Sequence, residues 1–355
     1  MVSSLHTSII NFFSWLSKTI TLLLHPKTIK TQVILAALLW LIVINPGSIT
    51  IVDTAIRLQM AHAWWTGEEE VLPGSQLAVE VRGEKFVPYD LGQSILMLPV
   101  DYVGTQLGQW LPTEKLRQNF REAIISFFVF LPLNLVLVVC VFQFLKLFDF
   151  EEKQAGAASL VWLLGTTVLY YAAVHQQNNQ VLLFVLIGYQ MALVSVLRQQ
   201  RKWAVLSGIS LGMAYLVRLT SIIHGCSVLL FLLGCVAYQS RSMLQVFKFL
   251  RCWLAGFISI FLLERGLTYI RYGSFLATSV SLHIQVFSYQ EVPATTISVV
   301  QGEPNQFRFW EMLSPVNLTA ISGPLFSAEK SIFIYDPLLL PALVIAFLFW
   351  KRLNF

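Results

Sequence analysis

The sequence predicts an all-α, polytopic membrane protein of about eight transmembrane helices, preceded by an N-terminal interfacial helix. Three observations point there. Of the 355 residues, 56% are hydrophobic and only 12% charged, with a mean hydropathy of +0.68, against about 25% charged residues in a soluble domain. The apolar residues gather into segments of about 20, the length that crosses a hydrocarbon core. The polar residues concentrate in a few places, above all 49–99, where an apolar segment ends at Asp53 and a dense set of carboxylates and aromatics, with Arg57, follows.

Residues 8–24 place Ser8, Asn11, Ser14, Lys18 and Thr21 at near-helical spacing among Phe, Trp, Ile and Leu. That pattern suits a helix lying in the membrane interface. His25-Pro26 ends it, so residues 1–30 form a cytoplasmic interfacial helix and 31–355 the transmembrane domain. The first span is expected from Thr31 to Ile51, loosened at its outer end by Pro46-Gly47. A first outer loop follows over about 52–121. Within it, Leu91–Leu111 is apolar, but Pro99, Asp101 and three glutamines favour a helix along the membrane surface over a span. Further spans are expected at Glu122–Lys146, Gln154–Val174, Gln180–Leu197, Trp203–Ser221, Ile222–Tyr238, Phe249–Tyr269 and Ser331–Trp350, with a second outer loop over about 270–330.

Lys and Arg set the orientation, because cytoplasmic loops retain them. The short loop RQQRK at 198–202 and the terminal Lys351-Arg352 place the N-terminus in the cytoplasm, and Asp53 then lies on the non-cytoplasmic face. The expected location is a bacterial inner (plasma) membrane. Cys140, Cys226, Cys235 and Cys252 all lie in or beside apolar segments, which is not a disulfide framework. The sequence has no metal-type Cys/His spacing, Walker A loop, GxGxxG or HExxH, so ATP-driven transport and zinc hydrolysis have no support. Nothing points to a nucleic-acid partner.

Several local patterns occur in order: Asp53 leading into AIRLQMAHAWWTG, then YDLGQSILMLP, GTTVLYY, GMAYLVRLTS, YIRYGS and EKSIFIYDPLLLPAL. Together they resemble the GT-C superfamily of integral membrane glycosyltransferases, in particular the bacterial proteins similar to glycosyltransferase family 39 and the dolichyl-phosphate-mannose protein mannosyltransferases. The resemblance implies transfer of a sugar from a polyprenyl-phosphate donor to a lipid, glycan or protein acceptor outside the cytoplasm, with membrane lipids as surroundings. Many relatives carry a paired acidic motif after the first span, whereas here Asp53 is followed by Thr54.

Asp53 is the candidate base, since a carboxylate at the membrane surface can take the proton of an attacking acceptor hydroxyl. Otherwise it caps the next helix. Asp90 is the candidate second acid. Glu80 and Glu84 are the alternatives to it, and whichever serves would meet substrate hydroxyls or a divalent ion, which takes oxygen ligands; no cofactor is otherwise implied. Arg57 stands one turn after Asp53, either as a local pair or as a phosphate donor, and Tyr89 opens the YDLGQS motif as a candidate substrate contact. His175 lies in a polar tip between spans, as a plain turn or a sugar contact. Arg218 and Arg271, near span ends, are candidates to fork onto a lipid phosphate. Glu68, Glu69 and Glu70 are expected to be a solvated turn, and Trp64 and Trp65 interface anchors. Two other classes fit the same composition: a transporter or flippase of a lipid-linked saccharide, and a non-catalytic assembly subunit.

Overall fold

The computed structural model describes residues 28–71, 78–240 and 243–279, together with Leu282 and Val344. The expected N-terminal helix, most of the second loop (about 270–330) and, Val344 apart, the last expected span with the EKSIFIYDPLLLPAL motif lie outside them. The described chain is almost entirely helical, with several apolar helices. Helix α1 (Ile29–Ile44) starts where Thr28 Oγ1 accepts the Thr31 N–H. It stops short of the expected Ile51 because Asn45 precedes Pro46 and takes extended geometry, as residues before proline do. Asn45 Oδ1 then accepts the Gly47 N–H at 2.8 Å and turns the chain into α2 (Val52–Thr66).

A two-stranded hairpin, β1 (Val79–Val81) with β2 (Glu84–Phe86), follows α2 and adds a small sheet to the all-helical expectation. Its two-residue turn is Arg82-Gly83, both at positive φ, the geometry that matches the twist of paired strands. Helix α3 (Gly92–Gly108) contains Pro99 and leaves Tyr102, Val103 and Leu107 exposed, while Gln93, Ser94 and Asp101 are buried. It occupies the stretch expected as a surface helix and is not among the described helices long and apolar enough to cross a membrane. Helix α4 (Glu114–Lys146) is one 33-residue run, so the loop ends inside a helix rather than before it. A π-helical turn at Ser126–Phe130 sits within α4.

The expected span Gln154–Val174 is broken. Helices α5 (Glu152–Gly165) and α6 (Thr167–Ala173) meet at 64°, because Thr166 is extended and its hydroxyl caps the Val168 N–H. The GTTVLYY motif is this break. Helices α7 (Asn178–Leu197), α8 (Arg201–Val217), α9 (Ile222–Ser240) and α10 (Met243–Tyr272) complete the described fold. The span expected to reach Ser221 ends at Val217, where Arg218 turns extended and a 3-10 turn, Leu219–Ser221, leads into α9.

Among the described residues α4, α7 and Val246–Tyr272 of α10 are long and apolar enough to cross a membrane, and the bent α5–α6 pair passes the same test as one span. Large apolar side chains such as Val43, Phe128, Leu230 and Ile270 lie exposed on these helices and on the shorter α1 and α9, a surface suited to lipid. One core joins α1, α4, α5, α6 and α7 through Val33, Leu41, Leu137, Leu163 and Leu183. A second joins α7 to α10 through Leu211, Ala214, Leu232 and Trp253. Small residues set the α8–α10 distance. A Cβ on Gly208 would lie 2.1 Å from Trp253 O, and one on Gly256 2.2 Å from Val205 O, the close backbone approach typical of membrane helix pairs.

A similar approach links α3 to the end of α8. A Cβ on Gly92 would lie 2.5 Å from both Val217 Cα and Val217 N. The obstruction is backbone, so a side chain cannot simply swing aside. Gly92→Ala is therefore expected to cost roughly 3 kcal/mol, the upper end of overpacking penalties, seen as a lowered melting temperature of the detergent-extracted protein. Gly104→Ala, whose Cβ would first meet an Ile124 side-chain atom at 3.4 Å, should melt close to wild type.

Candidate active site

The Gly92 contact carries Tyr89 and Asp90, just ahead of α3, to the end of α8. Met60, Ile56, Val87, Tyr89, Leu91 and Leu216 form the small core beneath them. Asp53 lies in the first turn of α2, where the helix N-terminus favours a negative charge. Tyr89 Oη donates to Asp53 Oδ1 at 2.7 Å. The Arg57 guanidinium stacks over the Tyr89 ring, 4.4 Å from its centroid, and donates to Asp53 O at 3.2 Å. Of the two readings of Arg57, a local pair or a phosphate donor, the structure shows a local contact, made to the backbone carbonyl of Asp53 rather than to its carboxylate.

Charge explains why this group holds together. Burial pulls the Arg57 guanidinium below its ordinary value, while Asp53, Asp90 and Tyr89 oppose that and Arg218 adds to it. Burial pushes the Tyr89 phenol up to about 12, and its hydrogen bond to Asp53 acts the same way. Asp90 is pushed up by burial, against the Ser279 hydrogen bond, Arg57 and the Leu219 N–H. Its Oδ1 accepts from Ser279 Oγ at 2.7 Å and its Oδ2 from Leu219 N at 3.5 Å. The second of these contacts ties the motif to the residue after Arg218.

The two candidate phosphate arginines differ. Arg218 is exposed and gives one hydrogen bond, to Asn178 Oδ1 at 3.3 Å, among the described residues. Arg271 is 7% exposed, ion-paired with Glu70 and bonded to Val87 O, with its guanidinium near the rings of Phe86 and Tyr272. Glu70, expected in a solvated turn, is 6% exposed and also takes the Trp64 Nε1–H and the Val87 N–H. The Glu70–Arg271 pair thus fastens the stretch after α2 to the end of α10. Trp64 and Trp65 are likewise tied to carboxylates, Glu70 and Asp101.

His175 is also placed away from an open tip. It is 1% exposed, at φ 59°, packed on Phe130 with ring centroids 4.6 Å apart. Its carbonyl accepts from Thr54 Oγ1 and Gln93 Nε2, both at 3.1 Å. Ser126 Oγ donates to Asn45 Oδ1, which leaves His175 Nε2 as the donor to Ser126 at 3.0 Å. One residue thereby joins α1, α2, α3 and the π-turn of α4. Thr54, standing beside Asp53, is part of this knot.

One group is not foreseen from the sequence: Asp101, noted only as a polar interruption in an apolar run, is fully buried and accepts from His62 Nδ1 at 2.9 Å and Trp65 Nε1 at 2.8 Å. The signal for it was a carboxylate inside an apolar stretch, which is costly unless paired. Glu264 and Arg265, adjacent charges near an expected span end that the sequence suggests as a pair, do pair in α10, where Glu264 also accepts from Thr268 Oγ1 at 2.9 Å. No three His, Cys, Asp or Glu side chains among the described residues group as metal ligands.

Residues 114–263 match the family model of dolichyl-phosphate-mannose-protein mannosyltransferase. That segment, less than half the chain, contains GTTVLYY, His175, GMAYLVRLTS and Arg218. It supports the likeness to GT-C glycosyltransferases and, with the apolar helices, an integral membrane transferase. Asp53, Arg57, Tyr89, Asp90 and Arg271 lie outside the matched segment. No curated protein and no solved structure matches the chain.

Burial also makes His175 a stability sensor. Its value is pushed down to about 4, below the unfolded value near 6.5, so folding favours the neutral ring. The stabilisation is complete above about pH 6.5 and is lost as pH falls from there through about 4, to a total of about 3 kcal/mol. The melting temperature should drop across that window. In His175→Asn, which accepts the left-handed backbone and cannot ionise there, the drop should flatten.

Proposed function

We propose that the chain is a membrane glycosyltransferase that moves a sugar from a polyprenyl-phosphate donor to a lipid, glycan or protein acceptor on the non-cytoplasmic face. The observation that carries this reading is the convergence of Asp53, Tyr89, Arg57 and Asp90 with Arg218, which the family-matched segment supplies.

In this reading Asp53 is the base. Tyr89 holds Oδ1 and leaves Oδ2 for the acceptor hydroxyl. As the acceptor oxygen bonds to the anomeric carbon, its proton passes to Oδ2. The bond from that carbon to the phosphate oxygen breaks, and the lipid phosphate leaves with the electron pair. A single displacement of this kind inverts the anomeric centre. Arg218, exposed and with donors to spare, stabilises the phosphate charge. Arg57 keeps Tyr89 and Asp53 in register. Asp90 is a positioning residue: by accepting from Leu219 it fixes the turn that presents Arg218. Arg271 is left as a fastener of the outer loop. Outer-face chemistry with a lipid-linked donor needs no nucleotide-sugar site, consistent with the absence of Gly-rich phosphate motifs.

The test is transfer in membranes from cells expressing the chain, supplied with a panel of labelled polyprenyl-phosphate sugars. Wild type should transfer at least one of them. Asp53→Asn keeps the size and loses the basicity, and should fall roughly 10²–10⁴-fold at equal protein level. Equal transfer by both proteins would remove Asp53 from the mechanism. No transfer by either across the panel would favour a transporter or an assembly subunit.

A further inference from the structure

Helix α2 has two working faces. Asp53, Ile56, Arg57 and Met60 face the Tyr89 segment. On the other side Ala55, Gln59, His62 and Thr66 line a cavity of about 560 Å³, closed by α3 and the first turns of α4. The volume falls within the roughly 300–1,000 Å³ of ligand clefts. This cavity plays no part in the transfer chemistry described above.

Its wall chemistry is distinctive. Gln59, Gln106, Gln109 and Gln118 line it. Gln59 Nε2 donates to Glu68 Oε2 and Glu69 O, Gln109 Nε2 to Gln106 Oε1 and Gln118 Nε2 to Glu122 Oε1. This orients the wall and leaves the amide oxygens of Gln59, Gln109 and Gln118 and the Gln106 N–H donors for a ligand. Charge is nearly balanced, with Glu68, Glu114 and Glu122 against Arg117 and Arg121. All three carboxylates are partly engaged: Glu68 accepts from Gln59 Nε2 at 3.5 Å, Glu114 lies 3.7 Å from Arg117, and Glu122 accepts from Gln118 and from the Ile49 N–H. Such a lining gives no field to concentrate an anion.

Behind the wall lies a rigid polar floor. Buried Asp101 fixes both His62 and Trp65 through Oδ2, and the two rings meet edge-on, 5.0 Å between centroids. With Nδ1 donating to Asp101, His62 has Nε2 as its remaining polar atom, 3.9 Å from Glu68 Oε1. Three buried atoms here lack a hydrogen-bond partner among the described residues: Asp101 Oδ1, which has only Arg121 Nε at 3.5 Å, Arg121 Nε itself, and Thr105 Oγ1. Buried polar atoms are normally paired, so these leave hydrogen-bonding capacity that water, an ion or a ligand can meet.

We propose that this cavity is a carbohydrate site that takes a neutral oligosaccharide, holding an acceptor glycan away from its reacting hydroxyl. The second half of that statement rests on the transferase reading. Amides, a fixed imidazole and an anchored indole suit vicinal hydroxyls and the apolar face of a sugar ring. A phosphate, a uronate or an acyl chain would find no matching wall.

Saturation-transfer NMR on the full chain in lipid nanodiscs tests it, with maltotriose and cellotriose as neutral probes and a trigalacturonate as the anionic one. Neutral trisaccharides should give transfer signals and the trigalacturonate weaker ones. Gln59→Leu/Gln106→Leu should bind about tenfold more weakly, the expected cost of two lost hydrogen bonds. A melting temperature equal to wild type would establish that the pair still folds. Asp53→Asn, on the opposite face, should bind as wild type does. No neutral signal, equal binding by the pair, or stronger trigalacturonate binding would overturn the proposal. Transfer activity without saccharide binding here would sink the cavity's role alone. Saccharide binding without transfer would sink the transferase reading and leave the site.

Discussion

Much of this structure depends on one steric condition: the backbone at Leu216–Val217 passes directly over Gly92. Any side chain at that position would push α8 away from the segment before α3. Because none is there, Asp90 reaches the Leu219 N–H, α8 ends at Val217, and Arg218 turns out of the helix beside Arg57 and Tyr89. The groups offered for proton abstraction and for phosphate charge come from parts of the chain more than a hundred residues apart. A contact of backbone on glycine brings them together.

A second requirement is to keep polar groups satisfied where water is scarce. The chain meets it with buried knots rather than isolated pairs. His175 joins α2, α3 and α4 through Thr54, Gln93, Ser126 and Phe130, and Ser126 carries the link on to Asn45 at the end of α1. Glu70 and Arg271 clamp the stretch after α2 to α10, and Asp101 gathers His62 and Trp65. Removing one partner of such a pair strands a buried charge or dipole, which costs more than the pair contributes. These knots hold α2 in place, and with it both Asp53 on one face and the amide-lined cavity on the other.

The helical architecture was legible because hydrocarbon thickness imposes a length on apolar runs, and α3 was set apart from the spans because Pro99 and Asp101 interrupt its apolar run. Asp53, Tyr89 and Asp90 stood out as candidates in a conspicuous polar stretch, and the structure brings them together with Arg57. Their roles were not, since a linear pattern cannot say which arginine is free. Arg218 and Arg271 look alike in sequence, each near a span end, and only packing shows that Glu70 occupies one of them. The break at Thr166 and the early end of α1 follow from local capping and from Pro46, signals that hydropathy averages away. The hairpin was hidden because three-residue strands leave little periodicity, although Arg82-Gly83 between Val-rich segments carried the turn.

The most direct test of the account is where a lipid phosphate sits. A structure of the chain in nanodiscs with a short-chain polyprenyl phosphate should show the phosphate within hydrogen-bond reach of the Arg218 guanidinium, with the Asp53 carboxylate across the space left for a sugar. A phosphate seated anywhere that leaves Arg218 without it, above all one displacing Glu70 from Arg271, would contradict the account.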